Sequence, residues 1–406
     1  MKETVEDLAI FGGRPLFSKT QSTGQLHARP LENFLSIVRE AYDARRLTND
    51  GPIVQRLERT CAALHGVPHC IAVTNAGIGI SMLLRELAAT RNGVEVIVPG
   101  FSFRGLPHFI RSAGQTPRFV DVDVNTHTLD VVQVAKAISP DTTAILAVSS
   151  VHSFGSRDEL VRLAAQRGVP LVFDSVYALG GQYYGRAPGA GGTAEVFSLH
   201  ATKLINGFDG GYITTTDAQL ALRLRSQRNF ALGSVAGWSP VAGLNGKLNE
   251  IHAAMALAVL PELPRVIDTN RERFLKYKSE LADCPGLRLL ESNKPEVESS
   301  SHVLNVLEVG EPWPYSRNDM LRILRAEGMG VRAHYSPPAS RARMNPSDVP
   351  SITLPVTDYL AERSLQLPGG DGMSERNVQD FGALCGFLFR HSCDVSAMMA
   401  KPYACK

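Results

Sequence analysis

The 406-residue sequence predicts an α/β protein: a mostly parallel sheet covered by helices on both faces, joined to a smaller α+β unit. Three observations predict it. From about residue 30 to 250, short wholly apolar runs alternate with segments of helical period, and wholly apolar strands imply a sheet buried on both faces. The length exceeds what one small core needs and suits about two domains. The chemically suggestive residues fall at or just past the ends of apolar runs, where parallel sheets collect ligands.

Residues 30–45 carry apolar side chains at helical spacing. Thr48-Asn49-Asp50-Gly51-Pro52 is a turn, and 53–64 is helical again. Cys70-Ile71-Ala72-Val73 is a buried strand, 78–89 a helix and Glu95-Val96-Ile97-Val98 a strand. A helix over 106–113, the strand Arg118-Phe119-Val120-Asp121 and a helix over 129–138 follow. Residues 144–148 form a strand, 157–167 a helix and 169–173 a strand. Beyond 249, a long helix runs to 260 and resumes from 262 toward 281, and 302–307, 318–327 and 360–365 supply the smaller unit. We therefore expect an N-terminal segment (1–30) joining the smaller unit, a large domain over 31–248 and a smaller α+β domain over 249–390. Residues 391–406 lack clear periodicity and are expected to be a poorly ordered tail.

Composition narrows the function. With 44% hydrophobic and 20% charged residues, the chain is of ordinary globular type. A net charge of +2 gives no basis for binding nucleic acid or an anionic membrane. No apolar run approaches a membrane span, and the acidic opening Met1-Lys2-Glu3-Thr4-Val5-Glu6-Asp7 lacks a signal-peptide pattern. Cys61, Cys70, Cys284, Cys385, Cys393 and Cys405 show no CxxC pair and no metal-ligand spacing. A reduced, cytoplasmic protein without a metal site is the expectation.

The most informative stretch is Phe197-Ser198-Leu199-His200-Ala201-Thr202-Lys203 with Asp209-Gly210-Gly211. It sets a lysine between an apolar strand and a glycine-rich turn. Upstream, Leu171-Val172-Phe173-Asp174 ends a strand on a carboxylate. This pair is what pyridoxal phosphate (PLP) chemistry needs: Lys203 to form the Schiff base, and Asp174 to keep the pyridine nitrogen protonated so that the ring accepts electrons. Alone, such a lysine is usually solvated surface and such an aspartate a cap or turn former. Their order and separation give them weight, as does a third element. Ile71-Ala72-Val73-Thr74-Asn75-Ala76-Gly77-Ile78-Gly79 is a strand, a small-residue turn and a helix start. The first N–H groups of a helix lack internal partners and small residues let a phosphate reach them, which points to Asn75, Ala76 and Gly77. The spacing is not GxGxxG, so no dinucleotide fingerprint is supported. Phe101 and Phe103 end another strand, where one ring could stack on a pyridine or both could simply pack in the core. His152 ends the strand before that of Asp174. Tyr177 lies one turn past Asp174, within reach of a cofactor 3-hydroxyl. Ser198 and His200 precede Lys203, and either could donate to a phosphate.

Taken together, these motifs resemble the sugar aminotransferases of the DegT/DnrJ/StrS family over nearly the whole chain. The resemblance rests on Phe11-Gly12-Gly13-Arg14-Pro15-Leu16-Phe17, Leu47-Thr48-Asn49-Asp50-Gly51-Pro52, Val98-Pro99-Gly100-Phe101-Ser102-Phe103 and Gly243-Leu244-Asn245-Gly246-Lys247-Leu248-Asn249-Glu250. Arg332-Ala333-His334-Tyr335-Ser336-Pro337-Pro338 and Leu365-Gln366-Leu367-Pro368 extend it to the C-terminal part. It implies the PLP-dependent transferase fold type I, with a mostly parallel seven-stranded sheet between helices. It makes Lys203 the Schiff-base lysine, Asp174 the ring-nitrogen carboxylate, Phe103 the stacking ring and Ser198 a phosphate contact. It further implies a homodimer whose active site is shared between subunits, Asn245 lying near the neighbour's phosphate, and substrate contacts from Lys247, His334 and Tyr335.

Three positions depart from the pattern: Gly77 stands for the usual threonine, Tyr177 for histidine or glutamine, and Asp209 for glutamate. The implied activity is transfer of an amino group from an amino acid, L-glutamate, to a nucleotide-linked keto sugar such as a dTDP-4-keto-6-deoxyhexose. The departures leave room for a PLP lyase or aldolase on the same fold, and an aminocyclitol precursor is a further acceptor. Acceptor specificity would lie in loops 183–192, 234–244 and 341–349.

Overall fold

The computed structural model describes residues 2–26, 31–232, 240–342 and 352–400. Two short 3-10 turns, Val5–Asp7 and Ala9–Phe11, open the chain. Then come α1 (Leu31–Asp43), α2 (Pro52–His65), β1 (His69–Val73), α3 (Ala76–Ala88), β2 (Glu95–Pro99), α4 (Leu106–Ser112) and β3 (Thr116–Val120). They are followed by α5 (Val131–Ala137), β4 (Thr142–Val148), α6 (Arg157–Arg167), β5 (Leu171–Asp174), β6 (Gln182–Tyr183), β7 (Ala194–Ser198), β8 (Gly211–Thr215) and α7 (Ala218–Gln227). Seven of these strands make one sheet in the order β1-β8-β7-β5-β4-β2-β3. β8 pairs antiparallel with both β1 and β7, and the remaining pairs are parallel. Ile71, Val98, Leu146, Val172, Val196 and Ile213 are fully buried, as a sheet covered on both faces requires. Side chains punctuate the connections: Asp130 and Asp217 cap α5 and α7, and Gly66 and Gly168 end α2 and α6 in left-handed backbone.

The second half continues with α8 (Glu250–Val259), α9 (Leu263–Glu280), β9 (Leu287–Leu289), β10 (Glu298–Ser299), β11 (Asn305–Val309) and α10 (Arg317–Ala326). β12 (Arg332–Ala333), α11 (Pro355–Arg363), β13 (Ser364–Leu367), α12 (Glu375–Arg390) and α13 (Ser392–Met399) complete it. A four-stranded antiparallel sheet, β12-β13-β11-β9, shares one apolar core with Tyr277 of α9, Ile323 of α10 and Phe381 of α12. Val5, Leu8 and Phe17 enter the same core. Buried Glu327 anchors this N-terminal segment, accepting from Ala9 N and Leu16 N and pairing with Lys2 at 2.8 Å.

Two expectations need correction. Residues 392–399 are not an irregular tail but helix α13, with Val395 fully buried and Met398 and Met399 packed on the core. The signal was present: 395, 398 and 399 follow i, i+3, i+4 spacing, but two turns give too little repeat to stand out. Residues 401–406 lie outside the described residues. The segment 360–365 is not one element, because α11 ends at Arg363 and β13 starts at Ser364. Among the described residues no helix is long and apolar enough to cross a membrane.

Two contacts bring the smaller sheet's elements over the carboxyl ends of the large one. Asp121, just past β3, accepts from Val356 N (2.9 Å), Thr357 N (2.8 Å) and Thr357 Oγ1 (2.8 Å), and so caps α11. Gly100, just past β2, leaves no room for a side chain: a Cβ there would lie 2.4 Å from Leu354. A third connection is a strap over 21–25. Gln21 bridges Met329, Gly369 N donates to Ser22 O at 3.0 Å, and Gln25 N donates to Thr202 O at 3.2 Å, next to Lys203.

Candidate active site

Backbone hydrogen bonds fix the turn that carries Lys203. Leu199 N donates to Gly210 O (2.9 Å), Ala201 N to Phe208 O (2.9 Å) and Lys203 N to His200 O (2.8 Å). The Lys203 ammonium stands over the Tyr177 ring, 4.1 Å from its centroid. Asp174 ends β5, in register with Val148 on one side and Val196 on the other. Among the described residues its carboxylate accepts one hydrogen bond, from Val176 N at 3.3 Å. Burial pushes its carboxyl up to about 6, against the opposing pull of that N–H and of the Lys203 charge. A recessed carboxylate with so little compensation fits a protonated ring nitrogen.

The turn after β1 forms a second receptor. Asn75 caps α3, its Oδ1 accepting from Ile78 N at 2.9 Å. The N–H groups of Ala76 and Gly77 find no acceptor among the described residues. Gly211 pairs with both Val73 and Ser198, which draws this turn and β7 together. A Cβ on Gly211 would sit 2.6 Å from Ala76 N and close the cradle. Ser198 Oγ accepts from His200 N at 3.2 Å, and its own proton has no acceptor among the described residues. Two free N–H groups and a hydroxyl proton beside a helix N-terminus fit a phosphate. The residues present therefore fit both ends of PLP.

The other expected residues distribute unevenly. Phe103 is 56% exposed, whereas Phe101 is buried edge-on against His334 and Tyr335. His152 is buried with both ring nitrogens engaged: Asn125 O accepts from Nε2 at 3.1 Å, so Nδ1 accepts from Ser150 Oγ at 2.8 Å. Burial holds it at about 4, hence neutral, and only its ring is left to meet a ligand. His200 is exposed and bonds within its own turn, to Thr202 Oγ1 at 2.8 Å. His334, lowered to about 3 by burial, accepts from Gln366 Nε2 at 3.0 Å and stacks on Tyr335. The Tyr335 phenol is raised by burial and by the nearby Tyr177 and Asp174, so this tyrosine from the second half of the chain reaches the Asp174 neighbourhood. Asn245 and Lys247 flank the carboxyl end of outer strand β1, beside the Asn75 turn: Gly246 O accepts from Thr74 N (2.8 Å) and Lys247 Nζ donates to Asn245 Oδ1 (2.7 Å).

Sequence reasoning missed two features. Buried His127 lies edge-on to His152 at 4.9 Å in left-handed backbone (φ 57°), and no motif marked it. Fully buried Glu195 accepts from Arg157, Ser175, Gly189 N (2.6 Å) and Gly191 N (2.7 Å), and so ties loop 183–192 to the residue after Asp174. An acidic residue inside an apolar strand was its only signal. Of the other two expected specificity loops, 234–239 and 343–349 lie outside the described residues.

Comparison with known proteins adds an independent line. The sequence model described as the DegT/DnrJ/EryC1/StrS aminotransferase family matches residues 31–383. The crystal structure of DesI in the presence of its TDP-sugar product is similar with a TM-score of 0.91 at 34% identity, over 98% of this chain and 100% of that one. DesV of S. venezuelae, solved in complex with a ketimine intermediate, gives 0.79 at 27% identity, over 91% and 99%. PseC of Helicobacter pylori, an aminotransferase involved in pseudoaminic acid biosynthesis, is alike in fold, with 0.83 at 22% identity over 92% and 100%.

Proposed function

This chain belongs to the PLP-dependent DegT/DnrJ/EryC1/StrS aminotransferase family, and from that premise we propose that it moves an amino group from L-glutamate to a dTDP-linked 4-keto-6-deoxyhexose. The observation that carries this reading is the juxtaposition of Lys203, Tyr177 and the under-compensated carboxylate of Asp174. The likeness to DesI, seen with a TDP-sugar product, supports the acceptor class.

Bound PLP supplies the electron sink for breaking the amino donor's Cα–H bond. The chain's residues do the rest. Lys203 Nζ would hold the cofactor covalently and, when its amine is free, would take the proton from the donor's Cα as general base. Asp174 holds the proton on the ring nitrogen. Tyr177 flanks Lys203 and offers its phenol to the 3-hydroxyl, and Phe103 offers its exposed ring to the cofactor's. Ser198 and the N–H groups of Ala76 and Gly77 hold the phosphate. His334 and Tyr335 close the acceptor side. We further propose a homodimer in which Asn245 and Lys247 complete the partner's site.

The test is spectroscopic. Protein purified with PLP should lose its visible cofactor band on addition of L-glutamate and regain it when the keto-sugar nucleotide is added. A band indifferent to L-glutamate rejects that donor, and turnover without a keto acceptor favours a lyase. Lys203→Ala should abolish the visible band of the covalently held cofactor; an unchanged band sinks the lysine assignment.

A further inference from the structure

At Gly77, where the family resemblance leads one to expect threonine, the structure shows what lies against the α-carbon. A Cβ on Gly77 would stand 2.5 Å from two ring carbons of Phe109 and 2.9 Å from a third, closer than real Cβ atoms come. No side chain fits at 77 while that ring is in place. The backbone that carries the ring is also held in place. Ser81, one turn along α3, lies within hydrogen-bond distance of Gly77 O (3.1 Å), Phe109 O (2.9 Å) and Ser112 Oγ (2.7 Å), which pins α4 against α3 at this level. Phe109 is half-buried on the apolar cluster under α3. Its ring also neighbours Phe103, centroid to centroid 6.5 Å and tilted by 39°, within the range at which aromatic rings attract. Phe103 also lies close to Gly105, where a Cβ would fall 2.4 Å from its ring. An exposed phenylalanine that must present one face to a ligand needs a wall at its flank, and Phe109 is that wall.

We propose that Gly77 and Phe109 act as one unit: the phosphate turn gives up a side chain so that the Phe109 ring can pack against it and set the angle of Phe103. Phe109 is then a positioning residue for the cofactor ring, and the phosphate is held by backbone N–H groups and Ser198 without a side-chain group from position 77. The inference rests on the PLP reading above and concerns how this chain builds that site.

The experiment measures PLP affinity of the full chain by fluorescence titration and reads the visible circular dichroism of the bound cofactor. Far-UV circular dichroism and melting of the cofactor-free protein control for folding. Gly77→Thr adds a hydroxyl yet should weaken PLP binding about tenfold, because the ring must be displaced from a packed site. Phe109→Ala alone should weaken it about threefold through loss of the wall behind Phe103. Gly77→Thr combined with Phe109→Ala should bind about threefold more tightly than Gly77→Thr alone, since truncating the ring relieves the clash but still removes the wall behind Phe103. Phe109→Leu keeps the apolar volume without the ring, so it should fold normally and still alter the cofactor's dichroism. Gly77→Thr binding as tightly as the parent, a double variant no better than Gly77→Thr, or a parent-like dichroism in Phe109→Leu would each overturn the proposal. A parent protein that binds no PLP would instead overturn the functional reading.

Discussion

Asp174 shows how a functional residue opposes the stability of its own fold. Its carboxyl stands at about 6 in the folded chain against an ordinary 3.8. Below pH 3.8 it is protonated whether the chain is folded or not, and it costs nothing. Between the two values the unfolded chain loses the proton first, so stability falls as pH rises, and above 6 the whole penalty is present. Cofactor-free Asp174→Asn should therefore be more stable than the parent at pH 7.5 by about 1–3 kcal/mol. That gap should close as the pH falls from 6 to 4, read from denaturant unfolding at each pH; a pH-independent gap rejects burial as the origin. Asp174 and Lys203 could be singled out in the sequence because one ends an apolar run and the other lies in the turn just after one, a purely local property. Gly77 was legible as a departure, but its partner Phe109 was not, because their contact exists only once α3 and α4 pack. The tautomer of His152 was equally hidden, being set by a carbonyl 27 residues away.

Among elements, β1, β2, β4 and β5 could be read from sequence because each carries three or more apolar residues in succession, whereas β8, Gly-Tyr-Ile-Thr-Thr, has two and could not. Two-residue strands such as β6, β10 and β12 could not, since no period is expressed in two residues. Helix α13 escaped for a related reason, and its importance is measurable. Val395→Asp places a charge in the core and should lower stability by about 3 kcal/mol in denaturant unfolding, whereas exposed Cys393→Ser should leave it within about 0.5 kcal/mol. Helix α11 depends on a single side chain from across the structure. Asp121→Ala strips the acceptor from two backbone N–H groups and one hydroxyl, and should cost about 2–3 kcal/mol. Asp121→Asn retains one acceptor oxygen and should lose less; equal losses would indicate that the capping bonds are not what Asp121 contributes.

For the whole molecule, α1 raises the question of what covers it. Phe34, Ile37 and Val38 pack inward, yet Leu31 and Leu35 remain 60% and 49% exposed on another side. A helix apolar on two sides is ordinarily buried on both. The proposed homodimer would supply the second cover, and Leu35→Glu should then shift the sedimentation coefficient toward the monomer at micromolar concentration while leaving far-UV circular dichroism unchanged. An unaltered sedimentation profile would remove α1 from the interface. The strap over 21–25 carries a different consequence, one of timing. Gln25 lies 278 residues from the Val303 carbonyl it binds, and Ala9 lies 318 from Glu327. A ribosome releases this segment before Thr202 and well before Val303, so its two seats arrive one after the other. Contacts so distant along the chain are slow to form. The turn bearing Lys203 is clasped at Thr202 by the same segment. The nascent protein therefore cannot complete the surroundings of Lys203 until the segment around Val303 has also emerged.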